Sequence, residues 1–141
     1  MNSIIFSVNN NAEIKVLPVV PSDIEIKQGQ NNEEFSTLNN GVLNLIGDLG
    51  LITLSISSIL LNQDYAFAKK NSSSDAWSYV DFFTKQRKAR IPLRLVMLTD
   101  DQKEVLNIAC TIDNFSHAEM KNGDIRYSLE IKEYRFVSLV A

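Results

Sequence analysis

The chain has 141 residues, 45% of them apolar and 22% charged, with a formal net charge of −3. These values fit one domain, 1–141, with a real core, and exclude a wholly disordered chain. The acidic balance gives no electrostatic reason for nucleic-acid binding by the whole surface, and the single cysteine, Cys110, excludes an intrachain disulfide.

The N-terminal "MNSIIFSVNN" has no basic region and no long apolar run, so no signal peptide is expected. Ile4, Phe6 and Val8 alternate with polar or smaller residues, then Asn9–Asn11 mark a turn, and Ala12, Ile14 and Val16 alternate again. Pairing Val8 with Ala12, Phe6 with Ile14 and Ile4 with Val16 places every apolar residue on one face and predicts a β-hairpin. Pro18 and Pro21 cannot donate to a ladder, so "LPVVPSD" reads as a kinked, extended connection.

"DIEIKQ" predicts a short strand with Ile24 and Ile26 on one face, and Gly29–Glu34 a loop. Phe35–Thr37 is expected as a short strand, "NNG" as a turn, and "GDLG" as a turn or bulge after Leu43 and Leu45. "LGLITLSISSILL" (Leu49–Leu61) is too short to span a bilayer as a helix. It alternates as the best middle strand, with Ile52, Leu54, Ile56, Ser58 and Leu60 on one face. "KKNSSS" is expected as a mobile polar loop.

One helix is expected, over about 75–90. Asp75 suits the N-cap, where a carboxylate accepts from free backbone N–H groups. Ala76, Tyr79, Val80, Phe83 and Arg87 form a stripe, widened by Trp77 and Phe82. Lys85, Arg87, Lys88 and Arg90 suit the C-terminal end, where the helix dipole favours cations, and Pro92 stops the helix. "IPLRLVML" follows as a buried strand and "TDDQK" turns the chain back.

Asn122-Gly123 is the strongest turn signal and predicts a type I′ hairpin. With that pair at the tip, Met120 faces Ile125, Ala118 faces Tyr127 and Asn114 faces Ile131, while Glu119 meets Arg126 and Asp113 meets Lys132. Beyond Lys132 this register places charges against Ile112 and Cys110. One β-bulge at Lys132–Glu133 repairs it and keeps Tyr134 and Phe136 on the core face. Many strands, one helix, then three more strands describe a mostly β (α+β) fold: an antiparallel barrel or sandwich with one flanking helix.

The chemistry is sparse. His117 is the lone histidine, and Ser116 beside it alternates to the other sheet face, which argues against a nucleophile–base pair. Cys110 has the pattern of a small core residue, without the cationic setting a reactive thiolate needs. One histidine and one cysteine make none of the usual zinc sets. Asp100, Asp101 and Asp48 sit in turns and are unmarked for paired-carboxylate work, and "GDLG" lacks the lysine of a phosphate loop. The run Lys85–Arg90 is explained by helix electrostatics, and Trp77, Phe82 and Phe83 by helix-to-sheet packing. No catalytic, cofactor-binding or metal-binding residue is expected, and no cofactor.

Several stretches in order carry a resemblance: "LPVVPSDIEIKQGQNNEEF", "GVLNLIGDLGLITLSISSIL", "DYAF", "DAWSYVDFFTKQRKARIPLRLVM" and "DIRYSLEIKEYRFVSL". Together they resemble the N-terminal domain of the LysM-bearing baseplate proteins of contractile phage tails, a family also found in defective prophages and R-type bacteriocins of Gram-positive bacteria. Family members continue into a LysM module after the "EYR" strand. This sequence ends at Ala141, so peptidoglycan binding through LysM is not expected.

The resemblance implies a tail-tube-like fold and a structural, non-enzymatic role in the virion tail or baseplate, assembled in the bacterial host cytoplasm. It implies a ring of copies, expected as a hexamer, in contact with tail tube or tube initiator, hub or spike, and baseplate wedges. Neither membrane nor specific nucleic-acid binding is implied. Gly29–Glu34 and Ala68–Ser74 are the loops expected to meet partners. The alternatives are a tail-associated hydrolase, which needs a site the residues do not display, and a nucleic-acid-binding accessory using Lys85–Arg90.

Overall fold

The computed structural model describes residues 3–136. Nine strands and one helix follow in chain order: β1 (Ser3–Val8), β2 (Glu13–Val16), β3 (Ile26–Gln30), β4 (Glu33–Thr37), β5 (Gly41–Leu45), β6 (Leu49–Leu60), α1 (Ala76–Ala89), β7 (Leu93–Leu98), β8 (Glu104–Glu119) and β9 (Ile125–Glu133). Seven strands build one antiparallel sheet in the order β2-β1-β7-β8-β9-β6-β3, and β4 pairs only with β5. The mostly β fold with one flanking helix is as expected from the sequence, but the ladder stays open, with β2 and β3 as its edges. The sheet nonetheless curls: Ser58 on β6 donates its hydroxyl to the Val19 carbonyl, just beyond the far edge strand, at 3.1 Å.

The helix fills the concave side of this curl. Tyr79, Phe82 and Phe83 are its largest buried side chains, and they meet Ile4 and Phe6 of β1, Leu95 and Met97 of β7, and Leu129 of β9 in one continuous core. Phe6 and Phe83 pack edge to face at 5.2 Å, a geometry the ring quadrupoles favour. Each such side chain stabilises the fold by about 1.5–3 kcal/mol through burial alone.

Asp75 holds the N-cap position but makes no side-chain cap bond. Its backbone carbonyl instead accepts from the Ser78 N–H and hydroxyl, and the Ala76 N–H donates to Asn62 Oδ1. At the other end Arg90 adopts the left-handed conformation (φ 58°), with Arg90 N–H on the Arg87 carbonyl and Ile91 N–H on the Gln86 carbonyl. This is a Schellman ending built on arginine rather than glycine. The buried stripe runs through Gln86, not Arg87, and Trp77 is partly exposed.

Two registers differ from expectation by one residue. In the first hairpin Phe6 faces Lys15, Ser7 faces Ile14 and Val8 faces Glu13. The cause is the turn: Asn9, Asn10 and Asn11 are all left-handed (φ 51°, 54° and 67°), and Ala12 joins them in a four-residue loop. Ile14 therefore sits outside, 51% exposed, and Leu17 joins Ile4 on the core face instead.

In the last hairpin Met120 pairs with Asp124, not Ile125, around Lys121, Asn122 and Gly123. Only Gly123 has positive φ (92°) there, so the turn is not type I′. It follows the three-residue pattern, with glycine at the left-handed position. From Glu119↔Ile125 to Asn114↔Glu130 the register is even, and it shifts between Ile112 and Asn114.

The bulge is thus on β8 at Asp113, not at Lys132–Glu133. Strand β9 keeps Ile125, Tyr127, Leu129 and Ile131 on the core face throughout, while β8 changes step, with Cys110 and Ile112 inward before the bulge and Phe115 after it. Tyr134 and Phe136 lie beyond the end of β9 and are exposed, packed edge to face on each other at 5.1 Å. The expected continuation of that strand over 137–141 lies outside the described residues. The Asp113–Lys132 ion pair does form, at 3.6 Å, because the bulge brings Asp113 close despite the changed register. Glu119 and Arg126 form no such pair.

Candidate assembly surfaces

Strands β3 and β6 run out of the sheet as a ribbon that β4 and β5 prolong. The joint is held by Asn31 N–H on the Asp48 carbonyl at 2.8 Å, Gln30 Nε2 on the Gly47 carbonyl at 2.9 Å, and Gly47 N–H on Asn32 Oδ1 at 2.9 Å. A side chain at Gly47 would collide with the Asn31 carbonyl, so this close approach requires glycine. The expected loop Gly29–Glu34 is therefore mostly strand, with only Asn31 and Asn32 outside it.

Beyond the joint β4 and β5 pair only with each other, and none of their residues joins the core among the described residues. Phe35 faces Leu43 and Glu33 faces Leu45 on one of its surfaces, while Glu34 faces Asn44 and Ser36 faces Val42 on the other. Leu38 at the tip is fully exposed, Ile46 is 81% exposed, and Phe35, Val42 and Leu45 are also solvent-facing. A two-stranded hairpin is marginal by itself, and clustered exposed apolar side chains of this kind mark a contact surface.

The base of the arm is fastened to the far end of the chain. The β6–β9 ladder ends at Thr53↔Lys132. From there side chains replace backbone. Glu133 Oε1 accepts the Ile52 N–H at 3.0 Å, and Arg135 donates to the carbonyls of Leu49 (3.2 Å) and Gly50 (2.8 Å) while pairing with Glu133 at 3.6 Å. Meanwhile Tyr134 N–H stays with β8, on the Ala109 carbonyl at 2.7 Å.

At the opposite end of β9 lies a second fastening. Asp124 is buried, and its carboxylate accepts from Asn62 N–H (2.8 Å), the Tyr65 hydroxyl (2.8 Å) and Asn122 Nδ2 (3.1 Å). The hydrogen bond to Asp124 holds the Tyr65 phenol above its usual pKa, with burial and the carboxylate charge adding to it. Nearby, the Ala68–Ser74 loop is tied down by Lys69 N–H on the Pro18 carbonyl and by Ser73 N–H on the Tyr79 hydroxyl, at 2.9 and 2.8 Å.

The residues that carry chemistry stay apart. His117 is exposed, stacked on Phe115 at 5.1 Å with Trp77 edge-on at 6.0 Å. Ser116 points to the other face, in a row with Ser57 and Ser128, whose hydroxyls bond at 3.0 Å. Cys110 is fully buried, and burial pushes its thiol up to about 12, with Arg94 opposing weakly. A thiol held so is a packing group, not a nucleophile. Asp100 and Asp101 lie in the β7–β8 turn and Asp48 at the arm joint. Among the described residues no group of three His, Cys, Asp or Glu side chains comes together to hold a metal. No helix among them is long and apolar enough to cross a membrane.

Sequence reasoning missed Glu133, Arg135 and Asp124 as fastenings. Their signal was charge at or beside the ends of an apolar strand, which alternation alone treats as solvent-facing.

No family model matches the chain. It is 26% identical over 124 residues to the uncharacterized protein YqbP of Bacillus subtilis (strain 168), which covers 86% of this chain and 55% of that protein. The chain thus spans about half the length of that curated relative. Its fold is similar to a chain of the virion of a native gene transfer agent particle, with a TM-score of 0.60 and 11% identity over 98% of this chain and 95% of that one. It is also similar to a chain in the tail of an empty gene transfer agent particle solved with C6 symmetry, with a TM-score of 0.54 and 13% identity over 99% and 96%. At these identities the likeness is one of fold. This chain shares its overall fold with these chains of gene transfer agent particles.

Proposed function

We propose that this chain is a structural, non-enzymatic component of the baseplate of a contractile phage tail or phage-tail-like particle. In this reading it forms a ring, a hexamer, that joins the tail tube or tube initiator to the hub and wedges. The ring assembles in the bacterial host cytoplasm and resides in the particle's tail. The observation that carries the proposal is the arm. It is a ribbon held out from the sheet by a defined joint, with apolar side chains that its own body leaves uncovered. A lone soluble domain gains nothing from such a ribbon, whereas a ring subunit gains a contact. The fold likeness to chains of a gene transfer agent virion and of a gene transfer agent tail supports the same reading. So does the scattering of every candidate catalytic group among the described residues.

The test is a reconstruction of particles purified from the producing cells, with mass spectrometry of their protein content. The chain is expected as a ring of six copies coaxial with the tube. Its absence from every tail-containing fraction, or its presence as a single unsymmetric copy, overturns the proposal.

A further inference from the structure

The arm and the helix end carry opposite charges that are mostly unmatched among the described residues. From Asn31 to Asp48 there are three acids, Glu33, Glu34 and Asp48, and no lysine or arginine. At the helix end Lys85, Arg87, Lys88 and Arg90 are all exposed. Only Lys85 finds a carboxylate, Glu13 at 3.8 Å, and no ion pair among the described residues uses Arg87, Lys88 or Arg90, nor Glu33 or Glu34. Helix-dipole electrostatics account for cations there, but not for an apolar hollow beneath them. A cavity of about 260 Å³ opens between the helix end and the sheet, lined by Arg87 and Arg90, by the apolar Ile91, Pro92, Ile112 and Tyr134, and by the polar Gln86 and Thr111. On the arm, Glu33 and Phe35 project from the same surface, two residues apart. One apolar group beside one carboxylate is the complement of a hollow with a guanidinium rim.

We propose that the arm of one copy docks on the helix end of a second copy, with Phe35 in the cavity and Glu33 against Arg87 and Arg90. The joint brings two different surfaces together, so it propagates head to tail and closes only as a ring or continues as a stack. Nucleic acid is the other occupant a cationic rim admits, but it leaves the apolar side chains of the arm uncovered. The inference deepens the assembly reading and rests on it for the presence of neighbouring copies.

The test uses the purified full chain with a benzophenone amino acid at position 35, irradiated across a concentration series at low and high salt. The expected result is self-association, with a crosslink to the peptide holding residues 86–93 or to Tyr134. Glu33→Arg or Arg87→Glu alone should cut the yield roughly tenfold, as loss of one close charge pair does. The two changes together should restore it. A chain that stays monomeric throughout, a crosslink to any other region, or a double variant no better than the singles overturns the inference. Retention of the double variant in tail particles is scored separately. Normal incorporation with a failed rescue sinks this interface alone, whereas a working rescue in a chain absent from particles leaves the interface and removes the tail assignment.

Discussion

Glu133 accepts the backbone N–H of Ile52 at 3.0 Å where the ladder between their strands has just ended. A side chain there does the work of a missing strand residue, and Arg135 does the same for Leu49 and Gly50. Glu133→Ala should therefore loosen the base of the arm more than the domain. The expected cost is about 1–3 kcal/mol, that of a hydrogen bond to a charged group. Hydrogen exchange should show faster exchange at Ile52 and through β3, with Leu95 and Leu129 still protected. Uniform loss of protection across the sheet would contradict the local role.

Asp124 is the buried carboxylate with three donors around it. Asp124→Ala leaves the Asn62 N–H and the Tyr65 hydroxyl without their acceptor at the junction of β6, β9 and the approach to the helix. The melting temperature should fall by an amount equivalent to roughly 2–4 kcal/mol, more than a typical surface change costs. Asp124→Asn, which keeps shape and one acceptor, should lose less. Equal effects of the two substitutions would mean that packing, not hydrogen bonding, holds this corner.

Tyr127 presents the reverse case. Its hydroxyl is buried with no hydrogen-bond partner among the described residues, and burial, with Tyr79 adding, pushes its phenol well above the ordinary range. Tyr127→Phe removes an unsatisfied polar atom and keeps the ring. Stability in denaturant should stay equal or rise by about 1 kcal/mol. A clear loss would show that the hydroxyl is met by an internal water.

Alkaline pH should destabilise the fold through its buried acids. Cys110, Tyr127 and Tyr79 all have folded-state pKa values raised by burial. Each is neutral in both states below its unfolded value, so the stability it contributes is fully present there. Above that value the unfolded chain loses the proton first, and stability falls by up to about 1.4 kcal/mol per pH unit per group. For Cys110 the window runs from its ordinary value of 9.0 to about 12. Urea midpoints measured from pH 8 to 11 should decline, and Cys110→Ala should flatten the early part of that decline. A midpoint constant over this range would show that these groups are more solvated than their burial indicates.

Much of the architecture is legible in the sequence, because alternation and helical spacing report which face is buried. The β6 pattern of Leu54, Ile56 and Leu60, the helix start after Asp75 and its stop before Pro92 all follow from local chemistry. What alternation could not settle was turn length. Three left-handed asparagines cost little more than two, so the first hairpin's loop takes four residues and displaces Ile14.

The terminal bulge is the more instructive case. A change of step was present, but two strands could absorb it, and a pairing argument cannot say which. The tell was Phe115, one step out of phase with Ile112 on β8. Side-chain fastenings such as Glu133 and Asp124 were hidden for a different reason: Glu133 meets the Ile52 backbone and Asp124 meets Asn62 and Tyr65, groups distant in the chain whose approach local alternation does not mark.

The arm's acidity has a colloidal consequence. Its three carboxylates equal the formal net charge of the entire chain, −3; without Asn31–Asp48, fourteen cations face fourteen acids. The free subunit thus keeps its mutual repulsion on one projecting ribbon, and a chain trimmed of that ribbon would sit at zero formal charge, where proteins precipitate most readily. Solubility and stickiness are carried by the same eighteen residues, 31–48. An arm deletion that falls out of solution therefore says little about assembly, and point changes that conserve charge are the better probe.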